Sequence, residues 1–374
     1  NLEGETALMQ AARRGDTLAL KQLGAAAGID LGAQSKEGKD ALMYATARGC
    51  ASATALLLDL GAPYDSVDNA GERAIDSAFD KKDRACCRVF WDRNLYLNHV
   101  NSCRAAPDSP LSLCLDWGED TQLMRELVEK GTDVNIRHRE GLSAVHAAVQ
   151  RVAVKTLAAL VELKADLDAT DAMQRTPLEL VVRAKRTEDS LDFVQRLCAG
   201  GANPSLPMSD GNYPLVFSAR RLQEITSKAD RLLGFHGHGF NKPVEARIPS
   251  EKENRWRELV QVLISANAEL NSQDGEGNTA LHYCGKMPFR KVELWKRLRQ
   301  AGASAKIRNL EGRRPFLHFP RAFKEESLYI GTLLCATIVG LPFGLIVLVE
   351  SGCAHGLDRA GIGNFWLQRW IERR

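Results

Sequence analysis

The sequence predicts an all-α chain: a solenoid of stacked helix-turn-helix units followed by one apolar helix of transmembrane type. Three observations carry that prediction. A short tract, fullest at Gly277-Asn278-Thr279-Ala280-Leu281-His282, recurs along most of the 374 residues. A second tract, an apolar helix closed by Gly-Ala or a similar stop, answers it in each period. A stretch without a charged residue, Ser327 to Val349, follows the last copy.

The copies of the first tract fall in register. They begin at Gly4-Glu5-Thr6, Gly38-Lys39-Asp40, Gly71-Glu72-Arg73, Gly141-Leu142-Ser143, Gln174-Arg175-Thr176, Gly211-Asn212-Tyr213, Gly277-Asn278-Thr279 and Gly312-Arg313-Arg314. The step is 34 residues from Gly4 to Gly38, 33 from Gly38 to Gly71 and 33 from Ser143 to Thr176, the period of a repeat array. The answering tract is read at Leu56 to Ala62, Leu127 to Asn135, Leu160 to Asp166, Leu263 to Asn271 and Leu298 to Ala303.

Each element has a physical reason. Thr or Ser opening the tract accepts a hydrogen bond from free amides of the first helical turn and caps it. Pro177 and Pro214 sit in a first turn, where a missing amide hydrogen costs little. The small pairs Ala11-Ala12 and Ala147-Ala148 let neighbouring helices approach closely. Gly after the second helix takes positive φ and stops it. Asp and Asn beyond that stop suit tight turns. Each unit buries one face only when its neighbour stacks on it.

Period and paired tracts together resemble the ankyrin repeat, over roughly residues 3 to 319. Residues 1–94 read as N-terminal repeats, 95–109 as a polar linker, and 110–320 as C-terminal repeats. Repeat seven is split by an insertion at 223–254, which holds a helix extension from Leu222 to Leu233 and the segment Gly234 to Phe240. Insertions in repeat arrays map to loops on one face.

Residues 327–350 are expected to span a bilayer. As a helix, the uncharged stretch is about 33 Å long. Pro342, Gly331, Gly340 and Gly344 are tolerated in membrane helices. A soluble capping helix would need a polar outer face, which this stretch lacks. The tail, 351–374, carries Trp366, Trp370, Arg369 and Arg373, residue types suited to a headgroup boundary. Four basic residues stand near each end of the span, so orientation stays open. The expectation is a single-pass membrane protein with cytoplasmic repeats. They would be periplasmic if a signal peptide has been removed, since the chain starts at Asn1 without an apolar leader.

Composition narrows the function. A net charge of +3 is too balanced to argue for nucleic-acid binding. Nine cysteines lie without paired spacing, which reads as buried thiols in a reducing compartment. Neither a phosphate-cradling loop, nor a GxSxG elbow, nor HExxH is present. His236 and His238 are two ligands, too few for a metal site. No cofactor and no metal is expected. The resemblance gives His146 and His282 a bracing role between adjacent turns. Asp116, Glu119 and Asp120 read as a solvated turn.

What remains is a surface. In ankyrin-like arrays the first helix of each unit lines the concave side. The resemblance therefore places Gln10, Arg13, Arg14, Tyr44, Arg48, Trp117, Gln150, Arg151, Arg183, Phe217, Arg220, Arg221, Tyr283 and Lys286 on the partner-binding face. Arginine forks suit carboxylates, and aromatic side chains supply contact area at low entropy cost. Turn tips such as Asp68, Asn69, Arg137, His138, Asp171, Asp274 and Glu276 form a second candidate surface. The expected function is non-catalytic: a membrane-anchored adaptor, or subunit of a membrane-associated complex, that grips an acidic protein partner. The alternatives are an inhibitor or immunity-type protein, a secreted bacterial effector, and an enzyme with a site in the 223–254 insertion.

Overall fold

The computed structural model describes residues 3–26, 28–100, 109–138, 140–184, 190–232, 250–285 and 292–315. They form sixteen helices and, among the described residues, no strand beyond one antiparallel bridge between Arg137 and Ser143. The chain divides into two compact bodies, one ending at Leu180 and one beginning at Val181.

In the N-terminal body the helices come in pairs: α1 (Ala7–Arg14) with α2 (Thr17–Gly24), α3 (Ala41–Arg48) with α4 (Ala51–Asp59), and α5 (Ala74–Asp80) with α6 (Arg84–Trp91). Next come α7 (Pro110–Asp116) with α8 (Thr121–Glu129), and α9 (Ala144–Arg151) with α10 (Val154–Glu162). The division between the bodies falls inside α11 (Pro177–Arg183). First helices pack on first helices, α1 on α3, α3 on α5 and α7 on α9. Second helices pack likewise, α2 on α4, α4 on α6 and α8 on α10. Two layers result, with a core between them.

The expected caps are in place. Thr6, Ser109 and Ser143 cap first helices through their hydroxyls, and Asp40 does so through its carboxylate, which accepts from the Met43 amide at 2.8 Å. Asp16, Asp83 and Asp120 cap second helices. Gly61 and Gly131 follow the second helices α4 and α8 at φ 88° and 108°, as expected, and Gly15 and Gly49 also end the first helices α1 and α3 at φ 74° and 78°. The core is aliphatic in the first two repeats, around Leu8, Leu20, Leu42 and Leu57, and turns aromatic in the third at Phe79, Phe90 and Trp91. Cys86, Cys87 and Cys114 are buried free thiols. Burial pushes Cys86 and Cys114 up to about 12, so neither is a thiolate near neutral pH.

Residues 95–100, expected as part of a linker, pack against repeat three. His99 Nε2 lies 2.6 Å from Asp76 Oδ1, and its ring meets Phe79 and Tyr96 edge-on. Repeats three and four also contact each other directly. Trp117 Nε1 donates to the Lys82 carbonyl at 2.8 Å, and Arg84 pairs with Asp120.

The C-terminal body contains α12 (Ser190–Ala199), α13 (Pro214–Leu232), α14 (Glu251–Ser265), α15 (Ala280–Gly285) and α16 (Val292–Gln300). Here α13 packs on α14 and α15, and α14 on α12 and α16. The extension expected from Leu222 is present as the second half of the 19-residue α13. The second helix of repeat seven starts at Glu251, earlier than the expected Trp256, because Ser250 caps it. Residues 233–249, with His236 and His238, lie outside the described residues, as do 327–350 and the tail with Trp366, Arg369, Trp370 and Arg373. Among the described residues no helix is long and apolar enough to cross a membrane.

Candidate functional site

Tight turns precede α3, α5, α9, α11, α13 and α15, and turns of neighbouring repeats are joined into a ladder. Within a turn, one aspartate carboxylate accepts from the amides two and four residues ahead. Asp68 does so from Ala70 and Glu72, Asp171 from Met173 and Arg175, and Asp274 from Glu276 and Asn278, all at 2.9–3.0 Å. The turn-tip acids thus hold their own loops. Between turns, the Lys36 amide donates to the Glu3 carbonyl, Asn69 to Glu37 and Ala172 to Glu140 in the first body, and Leu310 to Glu276 in the second.

The two histidines brace this ladder from below. His146 Nδ1 is 2.9 Å from Ser143 Oγ, and its Nε2 is 3.0 Å from the Arg175 carbonyl of the next turn. His282 repeats the arrangement with Thr279 Oγ1 and the Arg313 carbonyl at 2.9 and 3.1 Å. In repeat three the same register position holds Asp76, and His99 is its partner.

Turns and first helices together enclose a cleft in the N-terminal body. Its volume is about 280 Å³. Lys39, Met43 and Ala47 line one side, Ser77, Asp80 and Lys81 the other, and the turn residues Asp68, Glu72 and Arg73 form the rim. Of these nine residues only Asp68 was expected on a candidate surface, as a turn tip. Repeat three matches the tract poorly, so its face was passed over. The signal was nonetheless there: Lys81 and Lys82 follow Arg48 at one repeat's spacing.

Of the candidates on this body, Arg13 is exposed and pairs with Glu5 at 3.3 Å. Arg14, Arg48 and Gln150 are exposed, and Tyr44 is half-buried, with its hydroxyl on Ser35. Trp117 lies against Trp91, ring centroids 5.8 Å apart. Arg151 is tied down: Nη1 sits 2.8 Å from Asp116 Oδ1 and donates to the Ser112 carbonyl at 3.0 Å. Asp116 also takes Lys82 at 2.7 Å.

The other two acids of that turn are also structural. Asp120 caps α8. Glu119 Oε2 accepts from the amides of Lys155 and Thr156 at 2.9 and 3.0 Å, at the start of α10, whose own N-cap residue Ala153 offers no side chain. Glu119 thus supplies the cap from the preceding repeat. We expect Glu119→Ala to cost about 1–2 kcal/mol in urea unfolding and Glu119→Gln about half that, the neutral amide keeping one acceptor. Equal losses for the two variants would rule out this capping role.

In the C-terminal body Phe217 is flanked by Arg183 and Arg221, each 5.4 Å from the ring centre. Arg183 pairs with Asp210 at 2.5 Å, while Arg220 and Arg221 share Glu224 at 3.2 and 3.0 Å. Tyr283 does not line the surface. It is 4% exposed, and its hydroxyl donates to Asp274 at 2.5 Å. Burial and that carboxylate push its pKa up. Lys286 lies outside the described residues.

Comparison with known proteins sets this geometry in context. The family model "Ankyrin repeats (3 copies)" matches residues 3–101 and 111–208. The E3 ubiquitin-protein ligase KEG of Arabidopsis thaliana is 27% identical over 301 residues, 79% of this chain and 17% of that protein. The L-asparaginase of Dirofilaria immitis is 29% identical over 188 residues, 48% of this chain and 31% of its own length. The B-cell lymphoma 3 protein homolog of Mus musculus is 33% identical over 100 residues, 26% and 21% of the two chains. The chain therefore spans less than a third of each of these relatives. Among solved structures, an ankyrin repeat domain from Acinetobacter baumannii aligns at 19% identity and TM-score 0.34, over 70% of this chain and 98% of that one. A chain from the complex of a Bdellovibrio bacteriovorus predatory endopeptidase with an immunity protein aligns at 20% identity and TM-score 0.44, over 51% and 97%.

Proposed function

This chain belongs to the ankyrin-repeat proteins, whose repeats are protein-interaction modules, and from that premise we propose that it is a non-catalytic scaffold that grips a protein partner on its first-helix face. The observation that carries the reading is the cleft on the first-helix side of the N-terminal body, with exposed arginines beside it; ion pairs occur on both faces. The second helices spend their charges on one another: Arg93 pairs with Asp59 at 2.6 Å, Lys130 with Asp92 at 2.9 Å and Arg125 with Glu162 at 2.8 Å. The first-helix side holds the cleft, its mixed charged rim and the exposed Arg14 and Arg48. At the rim a partner meets turn residues already held by the ladder, which lowers the ordering entropy lost on binding there.

The membrane anchor belongs to the same proposal. Residues 327–350 would hold the repeats at a bilayer and raise their effective concentration toward membrane-associated partners. An adaptor or complex subunit would co-purify with several membrane proteins, whereas an inhibitor would hold one protein in a tight one-to-one complex.

The test places a photo-crosslinking phenylalanine analogue at Ser77 in the cleft or at Glu129 on a second helix. Partners are then identified from detergent-solubilised membranes by mass spectrometry. We expect a discrete adduct from Ser77 and none from Glu129. Adducts from Glu129 alone would overturn the choice of face. Alkaline extraction of membranes checks the anchor: the full chain should stay with the bilayer, and a chain ending before Glu326 should be released. Release of both would remove the anchor.

A further inference from the structure

A charged residue stands at or just beyond the end of each first helix in the N-terminal body: Arg14, Arg48, Lys82, Asp116 and Arg151; eight residues past the caps, in strict register, stand Arg14, Arg48, Lys81, Trp117 and Arg151. Repeat four breaks the run of cations. Its Asp116 takes Lys82 at 2.7 Å on one side and Arg151 at 2.8 Å on the other, closing three of the five charges within the protein. Arg14 and Arg48 are exposed, and among the described residues neither has an ion-pair partner. Of the arginines expected on this face, Arg14 and Arg48 are thus the ones on this body without an ion pair among the described residues, and the exposed Lys81 follows them in register.

Resting on the reading of this face given above, we propose that Arg14 and Arg48 form the acid-reading part of the surface and receive two carboxylates of an extended partner segment, which then runs on into the cleft. The spacing follows from packing. Because α1 packs directly on α3, the backbone positions that carry the two arginines are about 8–10 Å apart, one interhelix step. In a polyproline-type segment, side chains at i and i+3 share a face and lie about 9 Å apart. Lys81 adds positive charge at the mouth of the cleft, its ammonium held on the Ala47 carbonyl. An extended chain suits a cleft of about 280 Å³, which has room for a side chain but not for a helix. A nucleic acid, with a charge on every phosphate, would bring anions against Asp68 and Glu72 on the rim and Asp80 on the wall.

The test uses fluorescein-labelled, proline-rich synthetic peptides of one composition, with two Glu residues either at i and i+3 or adjacent. A single-stranded oligothymidine serves as the polyanion control. Binding is followed by fluorescence anisotropy at low salt on the full chain in detergent. We expect the i, i+3 peptide to bind best, and R14E with R48E to weaken it about tenfold or more. K82Q or R151Q should change it less than about twofold, since those charges are already satisfied. Binding unchanged by R14E with R48E, equal binding of the adjacent-Glu peptide, or tighter oligothymidine binding would each overturn the proposal. Thermal melting of the double variant checks that it stays folded, as two exposed positions should allow. The crosslinker at Ser77 separates the two levels of failure. An undiminished partner adduct in R14E with R48E would reject this pair while leaving the face intact. An adduct missing from the unmodified chain and found only at Glu129 would reject the face itself.

Discussion

Gly141→Ala should unfold the N-terminal body more readily by about 3 kcal/mol, whereas Gly71→Ala should cost only about 1 kcal/mol. Both glycines open a first-helix tract and both take positive φ, 71° and 80°. Either alanine therefore pays the steric penalty of the left-handed region. The difference lies in what stands beside them. A Cβ on Gly141 would come within 2.8 Å of the Ala172 amide nitrogen and 3.0 Å of the Asp171 carbonyl carbon, both backbone atoms of the next turn. A Cβ on Gly71 would meet nothing within 4 Å. Relieving the first clash means separating the turns, and with them the Ala172-to-Glu140 hydrogen bond of 2.8 Å. Urea midpoints of the two variants check this directly. If both fall by the same small amount, the turn ladder is not the tight seam described here.

The same seam explains how far the fold was legible from the residues. The tract is short, but almost every position in it has a separate physical duty: Gly for the turn, Thr or Ser for the cap, His for the bridge to the next turn. Repetition of several independent constraints at one spacing is hard to misread. Repeat five shows the limit. Its first helix ends not at a Gly but at Val152, forced to φ 59°, so the stop signal is absent while the structure is kept. The face was less legible than the fold. Arg151 looked available because the sequence does not announce that Asp116, one repeat earlier, lies within 2.8 Å of it. Such pairs appear only when charges are compared in register, and a degenerate repeat obscures the register. Tyr283 was misplaced for a related reason. An aromatic at that position lines the surface only if no carboxylate lies beneath it, and here Asp274 does.

Mild acid should loosen the N-terminal body through His138. The imidazole is 7% exposed, and among the described residues its Nδ1 has no hydrogen-bond partner. Burial first, and the nearby charge of Arg151 second, push it down to about 4 from an ordinary 6.5. The folded protein therefore keeps His138 neutral at a pH where the unfolded chain has already bound a proton. The unfolded state holds more protons throughout that window, so stability rises with pH there and falls as pH drops. The loss begins near pH 6.5, accumulates toward pH 4 and then levels off, reaching about 3 kcal/mol for a shift of this size. Burial lowers His146 as well, which adds to the same trend. Asp171 is held below its ordinary 3.8, chiefly by hydrogen bonds from Arg175 acting against burial. Its own contribution is lost only below pH 4, outside the histidine window. Urea midpoints measured from pH 7.5 to 4.5 should therefore decline for the unmodified chain and decline less steeply for His138→Gln. Parallel curves would mean that the buried imidazole is protonated in the folded state after all, and that the charge on Arg151 is screened from it by its ion pair with Asp116.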